Sequence, residues 1–99
     1  MTSDVRIVFY AAGDPQQHSM ADRILTAHFG GSTRIDSWGS WKDSETGKIE
    51  TESSFRFETI TSESQIVFAP IVAESLRKLY DQTEVLYSID AVKIGRVRA

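Results

Sequence analysis

Cysteine is absent from this sequence. Disulfides, thiolate nucleophiles and cysteine-held zinc or iron–sulfur centres are therefore excluded. Long apolar runs are absent too: nothing approaches the roughly 20 consecutive residues that a helix needs to cross a bilayer. Residues 1–10 carry neither a basic start nor an extended apolar stretch, so they do not read as a secretory signal, and a cytoplasmic protein without membrane contact is expected. Basic residues are outnumbered, 11 against 14 acidic ones, for a formal charge of −3. A general nucleic-acid binder is disfavoured by that balance, because phosphate backbones are held chiefly by clustered Lys and Arg. Two prolines and two histidines are all there are, which leaves little material for imidazole chemistry or for a metal.

What is present is 99 residues, 40% hydrophobic and 25% charged, the makeup of one globular domain over residues 1–99. A chain this short buries a modest core, so pairing with a second copy is the default expectation. Charge is unevenly spread. Asp43, Glu45, Glu50, Glu52, Glu58 and Glu63 face only Lys48 and Arg56 in the middle of the chain, whereas residues 91–99 carry Lys93, Arg96 and Arg98 and no acid. The two stretches either are solvated independently or meet across a subunit interface, where they would set orientation more than affinity.

The hydrophobic periods come in the order strand, helix, strand, strand, helix, strand. That order predicts an α+β, ferredoxin-like β-α-β-β-α-β sandwich, a four-stranded antiparallel sheet with both helices on one face. Val5, Ile7 and Phe9 alternate with Arg6, Val8 and Tyr10 as the first strand, ended by Ala11 to Gly13. Asp14 and Pro15 suit a helix start, the carboxylate accepting orphan N–H groups and the proline fitting the first turn. Met20, Ile24, Ala27 and His28 are expected to line one face of that helix, and Gly30-Gly31 to stop it. Ser62 and Gln65 read as a capping box opening the second helix, with Pro70 either kinking it or beginning its main body. Val72, Leu76, Leu79 and Tyr80 continue its stripe to about Gln82. Val85, Tyr87 and Ile89 alternate as the last strand, which residues 91–99 can extend as an arm.

Between Ser32 and Thr61 lies a hairpin with its turn at Asp43 to Lys48. A four-residue loop there sets Trp41 opposite Glu50, on the face away from Phe55 and Phe57. Ile35 would share that outer face, and a one-residue bulge at Gly39 is expected to return it to the core. The sheet face without helices then collects Trp41, Glu50, Glu52 and Arg56, with Tyr10 and Arg6 from the first strand. An indole beside two carboxylates can stack a planar ring and accept hydrogen bonds from its edge. The alternative is that Trp41 covers the sheet of a second subunit and the glutamates form the polar rim.

Other chemistries find weaker anchors. Glu50 and Glu52 can approach each other as an acid–base pair, but no glycosidase or protease motif surrounds them. Asp14, His18 and Asp22 form an i, i+4 ladder that is read as a solvated helix face before it is read as a metal site, and His28 reads as semi-buried near the helix end. There is no G-x-S-x-G elbow for a serine nucleophile. Gly30-Gly31-Ser32-Thr33 follows a helix, so it is a C-cap and not a phosphate loop. Phe55 and Phe57 have the spacing of RNA-stacking aromatics, but Glu52-Ser53-Ser54 stands where that motif starts with a basic residue and glycine, and core packing is expected.

Phe29-Gly30, Gly39-Ser40-Trp41, Gly47, Glu52 and Gln82-Thr83-Glu84-Val85 together resemble a pattern in small uncharacterised bacterial and phage proteins of ferredoxin-like type, with Thr83 departing from their usual Q-E-x-V. The resemblance implies architecture and not activity, and adds Gln82 to Trp41 and Glu52 as residues to mutate first. Three functions are compatible with these residues: a non-enzymatic dimeric binding or interaction module of prokaryotic or phage type using the open sheet face; a small-molecule sensing or sequestering protein with a pocket at the dimer seam; or a dimeric α+β-barrel enzyme using His18 or His28 with a carboxylate. No cofactor or metal is expected.

Overall fold

The computed structural model describes residues 4–99. Strand β1 spans Asp4–Ala12, helix α1 His18–Phe29, β2 Thr33–Lys42, β3 Ile49–Ser62, α2 Ala69–Leu79 and β4 Leu86–Ala91. The four strands form one antiparallel sheet in the order β2-β3-β1-β4. This is the ferredoxin-like α+β arrangement that the periodicity predicts.

The core lies between one sheet face and the two helices. Ile7 and Phe9 of β1, Phe55 and Phe57 of β3, Leu25 of α1 and Val72 and Leu76 of α2 are fully enclosed. Register explains the segregation: Phe9 stands across from Phe57 and Tyr87, and Ile7 across from Thr59 and Ile89. Residues directly opposite on antiparallel strands project from the same face, so one row of β1 commits a whole layer to the helices.

Several local expectations need correction. β1 does not break at Ala11; it pairs through Ala12, and the turn comes at Gly13, whose φ is 135°. Asp14 does cap, its carboxylate accepting from the Gln16 N–H at 2.9 Å, but the turn that it starts, Pro15–Gln17, is a 3-10 turn. Such a turn advances three residues per revolution, and α1 proper begins only at His18. The buried stripe of α1 is Ala21, Leu25 and Phe29, while Met20 and Ala27 are exposed and Ile24 and His28 sit at its margin. Gly30 closes the helix with φ 87°, as its position suggests.

In the second half, the Ser62 hydroxyl pairs with the Ser64 hydroxyl at 2.9 Å and caps no helix N–H. Glu63–Phe68 is a 3-10 segment, and Pro70 lies in the first turn of α2, so it begins the helix and does not kink it. The β2–β3 ladder runs unbroken from Thr33–Glu58 to Lys42–Ile49, with no bulge at Gly39. Ile35 therefore stays on the face of Trp41, where the sheet carries no helix. β4 ends at Ala91; beyond it the Val92 N–H reaches the Asp4 carbonyl at 3.2 Å, and the tail continues without strand structure.

Candidate functional site

Strand lengths create the site. β3 has 14 residues, but β1 pairs only with its part from Ser54 to Ser62. The hairpin thus runs on past the end of β1, and a cleft of about 510 Å³ opens where β1 stops. Tyr10, Trp41, Glu52, Arg56 and Gln82 all line it. Two of the residues singled out from sequence stand apart from that lining: Glu50, nearer the hairpin tip and opposite Trp41, and Arg6, which pairs with Asp90 at 3.4 Å.

The placement follows from register. Tyr10 is across from Arg56 on one side and Leu86 on the other, Arg56 is across from Ile35, and Glu52 is across from Gly39. All of these project from the face without helices. Gly39 presents no side chain beside Glu52, which leaves room above that carboxylate. The floor is polar, with the Ser37 and Ser54 hydroxyls 3.0 Å apart. Tyr10 and Trp41 remain 42% and 46% exposed, so their rings are available. Nearer the middle of the same face Val8, between Glu58 and Ser88, is only 4% exposed. The centre of the open face is thus already packed by its own side chains, and free surface concentrates at the hairpin end.

Trp38 is the lining residue that sequence reasoning missed. It is across from Ser53, in the phase that faces the helices, yet it is 78% exposed because the hairpin extends past the helical layer. The cleft wraps the end of β1 and so takes Trp38 and Phe55 from one face and Trp41 and Glu52 from the other. The available signal was the polar company of Trp38 in its own phase, Arg34, Asp36 and Ser40, which marks that row as only partly covered.

The far wall is the connection from α2 to β4. Asp81 adopts φ 53°. The Gln82 N–H then donates to the Arg77 carbonyl at 2.9 Å, and the Gln82 side-chain amide donates to the Tyr80 carbonyl at 3.3 Å. Arg77 donates back to the Gln82 carbonyl at 3.3 Å and is itself braced by two bonds to the Glu74 carboxylate, at 2.8 and 2.7 Å. Gln82 is thus held as a structural corner of the cleft.

Behind the Phe55 wall the buried Tyr80 meets a half-buried His18. The Tyr80 hydroxyl is 2.7 Å from His18 Nδ1, and the His18 ring meets Phe55 edge-on at 4.4 Å. Burial pushes the Tyr80 phenol up to about 12 and pulls His18 below its ordinary 6.5, with Arg34 adding to the latter. The phenol stays protonated beside a neutral imidazole, and the two share one hydrogen bond through Nδ1. The helix-face ladder of Asp14, His18 and Asp22 does not assemble: Asp14 caps, His18 turns inward, and Asp22 pairs with Arg34 at 3.5 Å. His28 Nδ1 donates to the Ile24 carbonyl at 2.8 Å. Among the described residues no group of three or more His, Asp or Glu side chains is arranged to hold a metal ion.

The fold and cleft define a ferredoxin-like α+β domain with one helix-covered and one open sheet face. No family model matches the chain, and no curated protein does. Solved structures do. CutA from Xylella fastidiosa superposes with a TM-score of 0.71 at 18% identity, over 95% of this chain and 88% of that one. A periplasmic divalent cation tolerance protein CutA from Archaeoglobus fulgidus gives 0.70 at 12%, over 93% and 87%. A phage SAM lyase solved with S-methyl-5'-thioadenosine gives 0.70 at 11%, over 92% and 83%. At these identities the likeness is one of fold. Among the described residues no helix is long and apolar enough to cross a membrane.

Proposed function

We propose that the chain is a non-enzymatic binding module of prokaryotic or phage type, working as a homodimer in the cytoplasm, whose working surface is the hairpin end of the open sheet face. One observation carries this reading: Tyr10, Trp41, Glu52, Arg56 and Gln82, far apart in sequence, converge on a single cleft together with an almost fully exposed Trp38. Exposed indoles at a concave site are the residue type that most often anchors recognition. The test is to titrate binding of a partner or ligand at the cleft for Trp41→Ala against Glu50→Gln, which lies outside the lining. A large loss in the first with little change in the second supports the reading; equal, wild-type behaviour in both ends it.

A small planar ligand in the same cleft is a second reading, favoured by the combination of Trp41 and Tyr10 rings with the Glu52 carboxylate and the Arg56 guanidinium. The solved phage lyase carries a nucleoside in this fold, which makes nucleosides reasonable first compounds. Native mass spectrometry of freshly purified protein reports stoichiometry and retained mass together. A reproducible small adduct that disappears in Trp41→Ala selects this reading. The enzyme alternative gains nothing from the histidines, because His18 and His28 spend their Nδ1 atoms on Tyr80 and on the Ile24 carbonyl.

A further inference from the structure

The part of β3 beyond β1, Ile49 to Ser53, pairs with β2 along one edge only. Its other edge offers backbone donors and acceptors with no strand against them among the described residues. Unpaired edges of this kind accept added strands. The row is flanked by apolar surface, since Ile49 is 75% exposed and Trp38 stands on the same face. On the opposite face the edge presents Glu50 and Glu52.

We infer that the C-terminal segment of a second copy, Gly95 to Ala99, adds as a strand to this free edge of β3. This deepens the homodimer reading by naming what joins the copies. Charge supports the choice of occupant. Residues 92–99 hold Lys93, Arg96 and Arg98 and no acid, whereas the hairpin is predominantly acidic. An antiparallel register with Val97 across from Thr51 sets Arg96 beside Glu52 and Arg98 beside Glu50. Opposite charges then face each other twice on one side of the added strand. Val97, fully exposed in the single chain, moves to the side of Ile49 and Trp38. Five residues match five, and Ser54, already paired with Ala12, ends the free edge.

The chain's own tail is in the wrong place to do this. Ala91 pairs with Val5, so the tail leaves at the Asp4 end of the sheet, while the free edge lies beyond Ala12. The ends are separated by nine residues of β1, about 30 Å at strand spacing. In the single chain Arg96 rests against Asp4 at 3.9 Å, an exposed contact weak enough to be exchanged. Tail and free edge lie at opposite ends but both on the β4 side of β3. One two-fold axis beside β4 therefore satisfies both contacts at once, as an isologous dimer requires. Self-pairing of two free edges is the poorer alternative, since antiparallel pairing centred on Thr51 sets Glu50 against Glu52.

The experiment uses three full-length proteins, the parent chain, Arg96→Glu/Arg98→Glu and Glu50→Lys/Glu52→Lys, in sedimentation equilibrium at low salt. All four substituted side chains are exposed, and thermal melts verify that each variant folds. The expected result is a parent dimer, each variant alone weakened by about tenfold or more, as two reversed charge pairs imply, and recovery of the parent affinity on mixing the two variants. Mixing restores both contacts, because each partner then meets an oppositely charged tail or edge. A monomeric parent, an unchanged variant, or a mixture that fails to recover overturns the inference. If Trp41→Ala abolishes binding while the charge variants dimerise normally, the cleft reading stands and the tail docking falls.

Discussion

At the scale of single residues, Gly13 carries more constraint than any charged group in the site. Its φ of 135° is a conformation that side chains rarely adopt, and a Cβ there would stand 2.9 Å from the Tyr80 carbonyl oxygen. Both effects oppose Gly13→Ala, so the variant should lose about 1–3 kcal/mol of stability in urea titration. Because Tyr80 forms the same corner as Gln82, the loss should come with weaker binding at the cleft. The His18–Tyr80 pair predicts a pH dependence with a definite sign. His18 is held below its ordinary 6.5 in the folded chain, so the unfolded chain takes up the proton first. Stability is then complete above about pH 7 and declines as pH falls through 6.5 towards the folded value. Denaturant midpoints measured from pH 8 to pH 5 should fall on the acid side, and His18→Gln should flatten that slope. A midpoint that rises with acidification would contradict a neutral, half-buried imidazole.

At the scale of elements, the unbroken hairpin register makes its own prediction. Gly39 has no positive φ, and a Cβ there would meet the Ser54 side chain at an ordinary 3.5 Å. Gly39→Ala should therefore be tolerated or stabilising by about 0.4–1 kcal/mol, since glycine weakens a strand interior by its unfolded-state freedom. Had a glycine bulge stood there, the same change would have destabilised the strand. The expected bulge came from assuming that Ile35 must reach the core. The sheet tolerates Ile35 on the open face because Arg56 and its other neighbours half-cover it. Helix α1 shows a related limit. Its stop at Gly30 was legible, but its start and its buried face were not: a 3-10 turn over Pro15–Gln17 takes the Asp14 cap, and the buried stripe is Ala21, Leu25 and Phe29. Ala21, Leu25 and Phe29 are themselves spaced i, i+4, so the face expected from Met20, Ile24, Ala27 and His28 lay one residue out of phase with the buried one.

At the scale of the whole molecule, the unequal strand lengths shape the candidate site. Helices cover one sheet face, β1 stops at Ala12, and the β2–β3 hairpin continues alone. A long, partly unpaired projection lies at one end and a basic tail at the other, too far apart to meet within one chain. Salt should weaken the proposed dimer more than it weakens folding, because the proposed contacts between copies pair exposed charges and the core of a single chain pairs none. Parallel thermal melts and sedimentation runs at low and high ionic strength distinguish the two.

Local chemistry was enough to determine the element order, the hairpin turn, the fold class and the facing of Trp41, Glu52 and Arg56, because alternation, turn residues and loop length act between near neighbours in the chain. Tertiary structure alone decided that β1 is shorter than β3. From that length difference come the cleft, the exposure of Trp38, the separation of Glu50 from the lining and the free edge. It also decided that His18 turns inward to Tyr80, a contact across 62 residues of sequence. Such features depend on where distant segments end relative to one another in space, and no pattern within either segment encodes that distance.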